Sequence, residues 1–180
     1  QWMKGIIFTT LGQMVEEKFG LEFWDKVLLD AAPASEGIYT SGSVYPDKEL
    51  FALVASLSKL TGTPSNDLVT AYGEYLFDKL TVLFPDLVPP KVSLKQFLKN
   101  IHKVIHVEIK KLHPNVELPS LTYEDTAPEQ LVILYRSHRK LCPLAIGLMN
   151  VAAKQNQEIL RIYDPFCMHK VADHCRSELK

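Results

Sequence analysis

The sequence predicts an α+β fold, with a helical N-terminal lobe and a C-terminal lobe that carries a small antiparallel sheet. Through the first two thirds of the 180 residues, apolar residues recur every three or four positions, as they do on one face of a helix. Short runs rich in β-branched and aromatic residues follow in the last third. The sequence has no internal repeat. Helices followed by strands, rather than alternating with them, are typical of an α+β domain.

Six stretches have the helical spacing of apolar residues. Glycines follow the first and the third, at Gly20 and Gly62, as is common just after a helix C-terminus. Thr63 and Pro64 supply an N-cap and a first-turn proline for the fourth, and Pro114 ends the fifth. The predicted helices are residues 7–18, 21–29, 50–60, 68–80, 93–112 and 143–157.

Three segments near the C-terminus are predicted to be strands. Residues 131–135 are β-rich and too few for an isolated helix. Residues 159–163 and 167–179 follow the last helix, and a turn is expected between them at Asp164 and Pro165. These two strands are too close in sequence for a crossover helix, so antiparallel pairing is predicted.

Composition indicates one globular domain and excludes several classes of protein. Hydrophobic residues make up 47% and charged residues 23% of the chain, which fits neither a disordered chain nor a collagen-like fibre. Twenty Lys and Arg balance 21 Asp and Glu, which argues against a protein that binds nucleic acid through clustered cations. No run approaches the ~18 consecutive apolar residues of a membrane span. Three cysteines and a start without the pattern of a secretory signal favour the cytoplasm.

Three histidines lie on one flank of the fifth predicted helix. His102, His106 and His113 are about 40–80° from the centre of its apolar stripe, at 100° per residue. A histidine in this place can be an ordinary boundary residue that makes one hydrogen bond. It can also be an axial ligand, whose neutral imidazole binds iron with one nitrogen while the other is held by an acceptor. The spacing leaves both interpretations open.

Tyr135, Ser137 and Arg139 form a polar row at the end of the first predicted strand. On a strand they share one face, because side chains alternate, and His138 then faces the other way towards solvent. A phenol, a hydroxyl and a guanidinium in a row suit a small molecule with one or two carboxylates. An edge strand whose polar residues face water is the alternative. The apolar residues that follow favour a pocket for an amphipathic ligand such as haem.

Segment 106–114, with Pro119 thirteen residues after its histidine, occurs together with the Tyr-x-Ser-x-Arg motif that begins at Tyr135. In this combination the chain resembles the haem nitric oxide/oxygen binding (H-NOX) family, whose members are related to the sensor domain of soluble guanylate cyclase. The resemblance extends over the whole chain. It implies a bacterial member that stands alone as a single domain and binds haem b.

The resemblance also implies where the haem lies. It would be held between a distal helical lobe of about residues 3–62 and a proximal lobe of about residues 63–180. The residue that matches His106 is the family's proximal ligand to the haem iron. His102 and His113 do not fall on this match and are expected to be bystanders on the same helix flank.

Five more positions are expected, from the resemblance, to contact the haem. The residues that match Tyr135, Ser137 and Arg139 hold the haem propionates in the family. Those that match Pro119 and Ile7 press on the macrocycle and help to keep it non-planar.

The distal side decides which gas is bound. Ferrous haem with one histidine ligand leaves a coordination position open, and bound oxygen is stabilised by a hydrogen-bond donor. In oxygen-binding members of the family the donor is a tyrosine, and its position here is Leu144. A distal tryptophan of those members corresponds to Leu11. Neither leucine is a donor, so the resemblance implies a dry pocket that binds NO and then CO, with little affinity for O₂.

The cysteines are a second candidate metal site. Some bacterial members of the family bind zinc through three cysteines and a histidine, and the cysteine positions match. The histidine position holds an aspartate here; a carboxylate can ligate zinc, and a nearby histidine could replace it. Three unconnected thiols are the alternative. The candidate ligands are Cys142, Cys167, Cys175, Asp164, and His169 or His174.

Together these features predict a gas sensor that is not itself an enzyme. NO bound opposite the histidine would weaken the iron–histidine bond, and the two lobes would shift relative to one another. The sequence has no kinase, cyclase or phosphodiesterase motif, so the expected output is a separate partner such as a histidine kinase or a cyclic-di-GMP enzyme. Haem catalysis is disfavoured because the distal positions are leucines. A haem-free interaction domain, or an adaptor stabilised by zinc, is the alternative function.

Overall fold

A computed structural model of the chain describes residues 2–87, 92–112, 114–115, 117–166 and 175–179. These residues form six α-helices, one short 3₁₀ helix and six β-strands. The helices are α1 (Gly5–Phe19), α2 (Leu21–Ala31), α3 (Asp47–Thr61), α4 (Ser65–Leu83), α5 (Leu94–Leu112) and α6 (Cys142–Gln155), with the 3₁₀ helix at Pro85–Leu87. The strands are β1 (Trp2–Lys4), β2 (Val44–Pro46), β3 (Ser120–Ala127), β4 (Gln130–Arg136), β5 (Ile162–Phe166) and β6 (Cys175–Leu179).

The six predicted helices are confirmed, and local chemistry explains where they end. The predicted cap of the fourth is wrong by one residue, because α4 begins at Ser65, so Pro64 rather than Thr63 takes the N-cap position and no described side chain caps the helix. Gly20 after α1 has a φ of 91° and Gly62 after α3 has a φ of 73°, values that favour glycine. Pro143 lies in the first turn of α6, where its missing N–H costs no helical hydrogen bond. Within the described ranges, every helix is too short or too polar to cross a lipid bilayer.

The strands form two antiparallel sheets. β1 pairs with β2, and the four C-terminal strands pair in the order β3-β4-β6-β5. The predicted α+β class, with its small antiparallel sheet, is therefore confirmed. Strands β1, β2 and β3 lie outside the predicted elements. β3 escapes prediction because its sequence is mostly polar and its apolar residues alternate only over the first half.

The predicted turn at Asp164 and Pro165 is wrong, since both residues lie inside β5. β5 is an edge strand, and its pairing with β6 shifts register at this point. A proline cannot donate a ladder hydrogen bond, but an edge or a bulge tolerates it. The predicted strand 167–179 is present in part, as β6; residues 167–174 lie outside the described part of the chain.

Three apolar clusters form the interior of the described part of the chain, and α4 contributes to the two larger ones. The first cluster joins α4 to α1, α2 and α3, and the second joins it to α5, α6 and the larger sheet. Helices α4 and α6 approach closely, because a Cβ atom on Gly73 would lie 2.4 Å from the carbonyl oxygen of Leu144. A Cβ atom on Gly147 would lie 2.1 Å from the carbonyl oxygen of Thr70. One helix therefore belongs to both of the larger clusters, and the division into two lobes near residue 62 stays a prediction.

A buried carboxylate orders the loop between α2 and β2. Glu49 of α3 accepts hydrogen bonds from the Ser35 backbone N–H at 3.2 Å, the Ser35 hydroxyl at 2.7 Å and the Tyr39 hydroxyl at 2.9 Å. The ring of Tyr39 in turn stacks on Phe8 of α1, with 4.6 Å between ring centroids. The loop is thereby fixed against the first cluster although it has no regular secondary structure.

Candidate functional site

An apolar cleft lies between α5, α6 and the inner face of the larger sheet. Its free volume is about 70 Å³, so a flat macrocycle could enter only if these walls move apart. Tyr123, Tyr135 and Ser177 are the lining residues that carry hydroxyl groups, and the rest of the lining is mostly apolar. The apolar lining includes Phe97, Leu98 and Ile101 of α5, Leu121 of β3, Ile133 of β4 and Leu148 of α6.

The helix that carries His106 is fixed at its N-terminal end. The carboxylate of Glu158 accepts the Leu94 backbone N–H at 2.8 Å, and Lys99 forms an ion pair with Asp125 of β3 at 2.8 Å. His106 is half-buried on α5, on the C-terminal side of the part that lines the cleft. Outside the described part lie the side chain of His102 and the whole of His113.

The prediction that Tyr135, Ser137 and Arg139 share one strand face is wrong, because β4 ends at Arg136. The Lys140 backbone N–H donates to the Ser137 carbonyl oxygen at 3.0 Å and closes a turn. The Ser137 hydroxyl oxygen accepts the Arg139 backbone N–H at 3.2 Å, a way in which serine often stabilises turns. The motif is therefore the end of a strand followed by a turn.

This turn nevertheless brings the hydroxyl groups of Tyr135 and Ser137 together. The Tyr135 hydroxyl also lies within hydrogen-bonding distance of the Leu141 backbone N–H. Burial raises the pKa of Tyr135 to about 12, and the hydrogen bonds with Ser137 and Leu141 offset part of that rise. Tyr135 is consequently a neutral phenol at any physiological pH, able to donate its proton to an acceptor.

Arg139 connects three segments that are far apart in the sequence. Its guanidinium donates from Nε to the Asp47 carboxylate at 2.9 Å, from Nη2 to the Trp2 carbonyl oxygen at 3.0 Å, and from Nη1 to the Glu117 carbonyl oxygen. Only 5% of its side chain is exposed. Three of its five N–H groups thus have partners among the described residues. Glu117 is two residues before the half-buried Pro119, so Arg139 also anchors the segment that carries Pro119.

Asp47 is a residue of this site that the sequence patterns do not reveal. It begins α3, accepts the hydrogen bond from Arg139, and lies 3.8 Å from Nε2 of His138. Nδ1 of the same histidine lies 3.1 Å from a carboxylate oxygen of Glu117, and 43% of the His138 side chain is exposed. The sequence signal for Asp47 is an acidic residue in the first turn of a helix, which is common because it suits the helix dipole.

The two candidate distal residues, Leu11 and Leu144, meet Ile7 in the first apolar cluster. Leu11 is 1% exposed, and Ile7 and Leu144 pack against the same buried group from α1 and α6. Tyr72 of α4 belongs to this cluster, and its hydroxyl donates to the Ile7 carbonyl oxygen. Sequence periodicity places Tyr72 in the apolar stripe of α4; the signal it carries is that a buried phenol needs a polar partner.

Two of the three cysteines lie together beneath the Tyr135 motif. Cys142 at the start of α6 and Cys175 at the start of β6 are both buried and share a cluster with Tyr135. In the part of the chain that the structure describes, no three His, Cys, Asp or Glu residues are grouped to hold a metal ion. Outside the described part lie Cys167, His169, His174 and the side chain of Asp164.

Similar proteins include solved structures that cover almost the whole chain. The crystal structure of an H-NOX protein from S. oneidensis in the Fe(II)NO ligation state superimposes with a TM-score of 0.90 and 34% sequence identity, over 99% of this chain and 98% of that chain. The Fe(II) unliganded H-NOX protein from K. algicida has a TM-score of 0.91 and 31% identity, over 99% of this chain and 96% of that chain.

Curated relatives are larger proteins. Soluble guanylate cyclase 89Db of Drosophila melanogaster is 26% identical over 158 residues, which cover 85% of this chain and 23% of that protein. Soluble guanylate cyclase gcy-35 of Caenorhabditis elegans is 27% identical over 192 residues, covering 98% of this chain and 25% of that protein. The chain thus spans about a quarter of the length of these relatives.

A family assignment follows from sequence and fold together. Residues 4–163 match the model of the Haem-NO-binding family, a haem sensor family, and the fold has the arrangement of solved H-NOX proteins throughout. The resemblance drawn from the His106 segment and the Tyr135 motif is confirmed. The chain belongs to the Haem-NO-binding, or H-NOX, family.

Proposed function

We propose that this H-NOX domain is a gas sensor that binds NO and CO at ferrous haem, has little affinity for O₂, and signals to a separate protein. The observation that carries the proposal is the distal cluster. Ile7, Leu11 and Leu144 come from two helices into one apolar group. The hydroxyl of Tyr72 in that group already donates its hydrogen bond to the main-chain oxygen of Ile7.

The chemistry of the site residues fits a haem. His106 offers an imidazole on the helix that borders the cleft, and the mostly apolar cleft walls would suit the faces of a porphyrin once they move apart. At one edge, Tyr135, Ser137 and the two remaining N–H groups of Arg139 would hold the propionates. Pro119 would lie against the macrocycle, in a segment that Arg139 fixes through the Glu117 carbonyl.

The distal residues would favour NO and CO over O₂ because their side chains lack a hydrogen-bond donor. Bound haem would supply a ferrous iron with one open coordination position. O₂ acquires negative charge on binding and needs a hydrogen-bond donor, whereas NO binds ferrous iron without one. The side chains of Ile7, Leu11 and Leu144 contain only carbon and hydrogen beyond Cα, so they exclude water and offer no proton.

Signalling would pass through the contacts between the lobes, taken as about residues 3–62 and 63–180. Arg139 joins β1 and α3 of the first lobe to the segment before Pro119 in the second. A displacement of the segment that carries Pro119 would therefore reach α3 through the hydrogen bonds of Arg139. The output protein would be a histidine kinase or a cyclic-di-GMP enzyme of the cytoplasm, and the domain itself would not catalyse a reaction.

Absorption spectra of the purified ferrous protein test this function. A haem spectrum that changes on addition of NO or CO and stays unchanged in air is expected. The H106G variant should lose the five-coordinate ferrous spectrum unless imidazole is added, and L144Y should gain a spectral change in air. A colourless protein, or a wild type that binds O₂ as readily as CO, would refute the proposal.

Zinc binding is a second proposal, favoured by the burial of Cys142 beside Cys175. Cys167, with Asp164 or His169, would complete the ligand set and tie α6 to the last strands. Metal analysis of the reduced protein should find one zinc per chain, and the C142S variant should have less. Substoichiometric zinc in the unoxidised wild type would exclude the site and favour three unconnected thiols.

A further inference from the structure

Tyr72 makes a hydrogen bond that links two helices on the distal side. It lies in the middle of α4, is 3% exposed, and donates its hydroxyl to the carbonyl oxygen of Ile7 in the first turns of α1. Burial raises the pKa of Tyr72, so its hydroxyl keeps its proton and remains a donor. The bond ends on the main chain of Ile7, the residue that the family resemblance places against the macrocycle.

The start of α1 is held from a second direction. The Gly5 backbone N–H donates to the Ser43 carbonyl oxygen at 2.7 Å. A Cβ atom on Gly5 would lie 1.8 Å from the Thr40 carbonyl oxygen, so this end of α1 touches the α2–β2 loop without intervening side-chain atoms. Because Gly5 and Ile7 are two residues apart, the loop fixes one end of this short segment and Tyr72 fixes the other.

This arrangement differs from simple apolar packing. Packing alone would hold the Ile7 side chain through many weak contacts, none of which fixes the direction of its main chain, since dispersion contacts are non-directional. A hydrogen bond to a carbonyl oxygen is directional. The Ile7 carbonyl oxygen lies within α1 and has two lone pairs, so it can accept the Tyr72 hydroxyl beside its helical N–H partner, and loss of the hydroxyl removes one directional contact between the two helices. The position of Ile7 is thus set by a polar contact in an otherwise apolar cluster.

We propose that Tyr72 is a positioning residue, whose hydroxyl holds Ile7 against the haem and thereby maintains the distortion of the macrocycle. The inference rests on the proposed function, because it assigns Tyr72 a role towards the haem. Tyr72 does not act on the gas itself, since its donor is committed to the Ile7 carbonyl.

The Y72F variant tests the inference, because it removes the hydroxyl and keeps the ring. Y75F is the matched control: Tyr75 lies one turn away on α4 and packs against the same cluster, but its ring faces the Lys79 ammonium, 5.1 Å from the ring centroid. Hydrogen exchange of the α1 amides in residues 7–11 should become about fivefold faster in Y72F, as expected for one lost hydrogen bond, and should not change in Y75F.

Resonance Raman spectra of the ferrous protein distinguish a positioning role of Tyr72 from a merely structural one, which would leave the porphyrin bands unchanged. Out-of-plane porphyrin bands should weaken in Y72F and in I7A. The double variant should resemble I7A alone, because Tyr72 acts through Ile7. Additive losses, or bands in Y72F that match the wild type, would overturn the proposal.

Two outcomes distinguish a failure of this inference from a failure of the proposed function. If the purified chain binds no haem, the proposed function fails, while the exchange measurement still decides whether Tyr72 fixes α1. If Y72F does not fold, NMR of the wild type decides: a slowly exchanging Tyr72 hydroxyl proton supports the bond to Ile7, and a rapidly exchanging one refutes it.

Discussion

Loss of the Asp47 carboxylate should weaken the protein through Arg139. In the D47A variant the guanidinium keeps the carbonyl oxygens of Trp2 and Glu117 but loses its anionic partner. The Arg139 side chain is 5% exposed and that of Asp47 is 12% exposed, so the charge that remains is nearly buried.

The size of the effect follows from this burial. Removal of one partner from a buried ion pair costs about 3–5 kcal/mol. The two carbonyl acceptors and the slight exposure of Asp47 reduce the penalty, so we expect a loss of about 2–3 kcal/mol in the free energy of unfolding. For a chain of this length, that corresponds to a fall in Tm of roughly 5–10 °C.

Urea denaturation followed by circular dichroism measures this loss, with the cofactor content matched between samples. D30N is the control, because Asp30 pairs with Lys59 at the surface, where solvent screens the charges. D47N should fall between the wild type and D47A, since an amide oxygen can still accept from Arg139. Equal unfolding midpoints for D47A and D30N would show that the pair does not contribute as its burial implies.

Three further predictions concern a helix end, a helix contact and a titration. The E158A variant should lose about 1 kcal/mol of unfolding free energy, measured with urea, because the Leu94 N–H at the start of α5 loses its acceptor; an unchanged midpoint would contradict this. G147A should unfold at a lower temperature, since its Cβ would meet the main chain of α4, whereas G42A should be neutral because nothing lies within 4 Å of its Cβ. Equal melting temperatures would refute the close approach. Burial raises the pKa of Tyr135 to about 12, so the folded state retains this proton between pH 10 and 12 while the unfolded state loses it. This contribution to stability is complete below pH 10 and is lost as the pH rises to about 12; Y135F should lack it, and the same slope in both proteins would refute it.

Helices were predictable here because their signals are local. The 3.6-residue spacing of apolar residues and punctuation such as Gly20 and Pro143 depend on neighbouring residues only. β3 was not predictable, since a strand that is half exposed and rich in polar residues has no clear alternation. The turn predicted at Pro165 is wrong because a proline is tolerated in β5 only through that strand's place at the edge of the sheet, which the local sequence does not reveal.

The residues of the candidate site likewise fall into those that the sequence could predict and those that it could not. The spacing of His106, Pro119 and Tyr135 could be recognised as a family pattern because those residues stand close together in the sequence. The partners of the pattern could not: Asp47 is 92 residues from Arg139, and Ile7 is 65 residues from Tyr72. Hydrogen bonds over such separations depend on how the helices pack, which single-sequence patterns do not contain.

Several contacts described above end on carbonyl oxygens of the peptide backbone, at Trp2, Ile7 and Glu117. Any amino acid at those positions supplies the same oxygen, so side-chain replacement there would leave the acceptor in place. Replacement of Trp2 by alanine would consequently leave its hydrogen bond with Arg139 in place, and this contact does not restrict which amino acid a relative has at the position of Trp2. Detecting such an anchor requires editing the backbone itself, for example by replacing the amide after Trp2 with an ester, whose oxygen is a poorer acceptor.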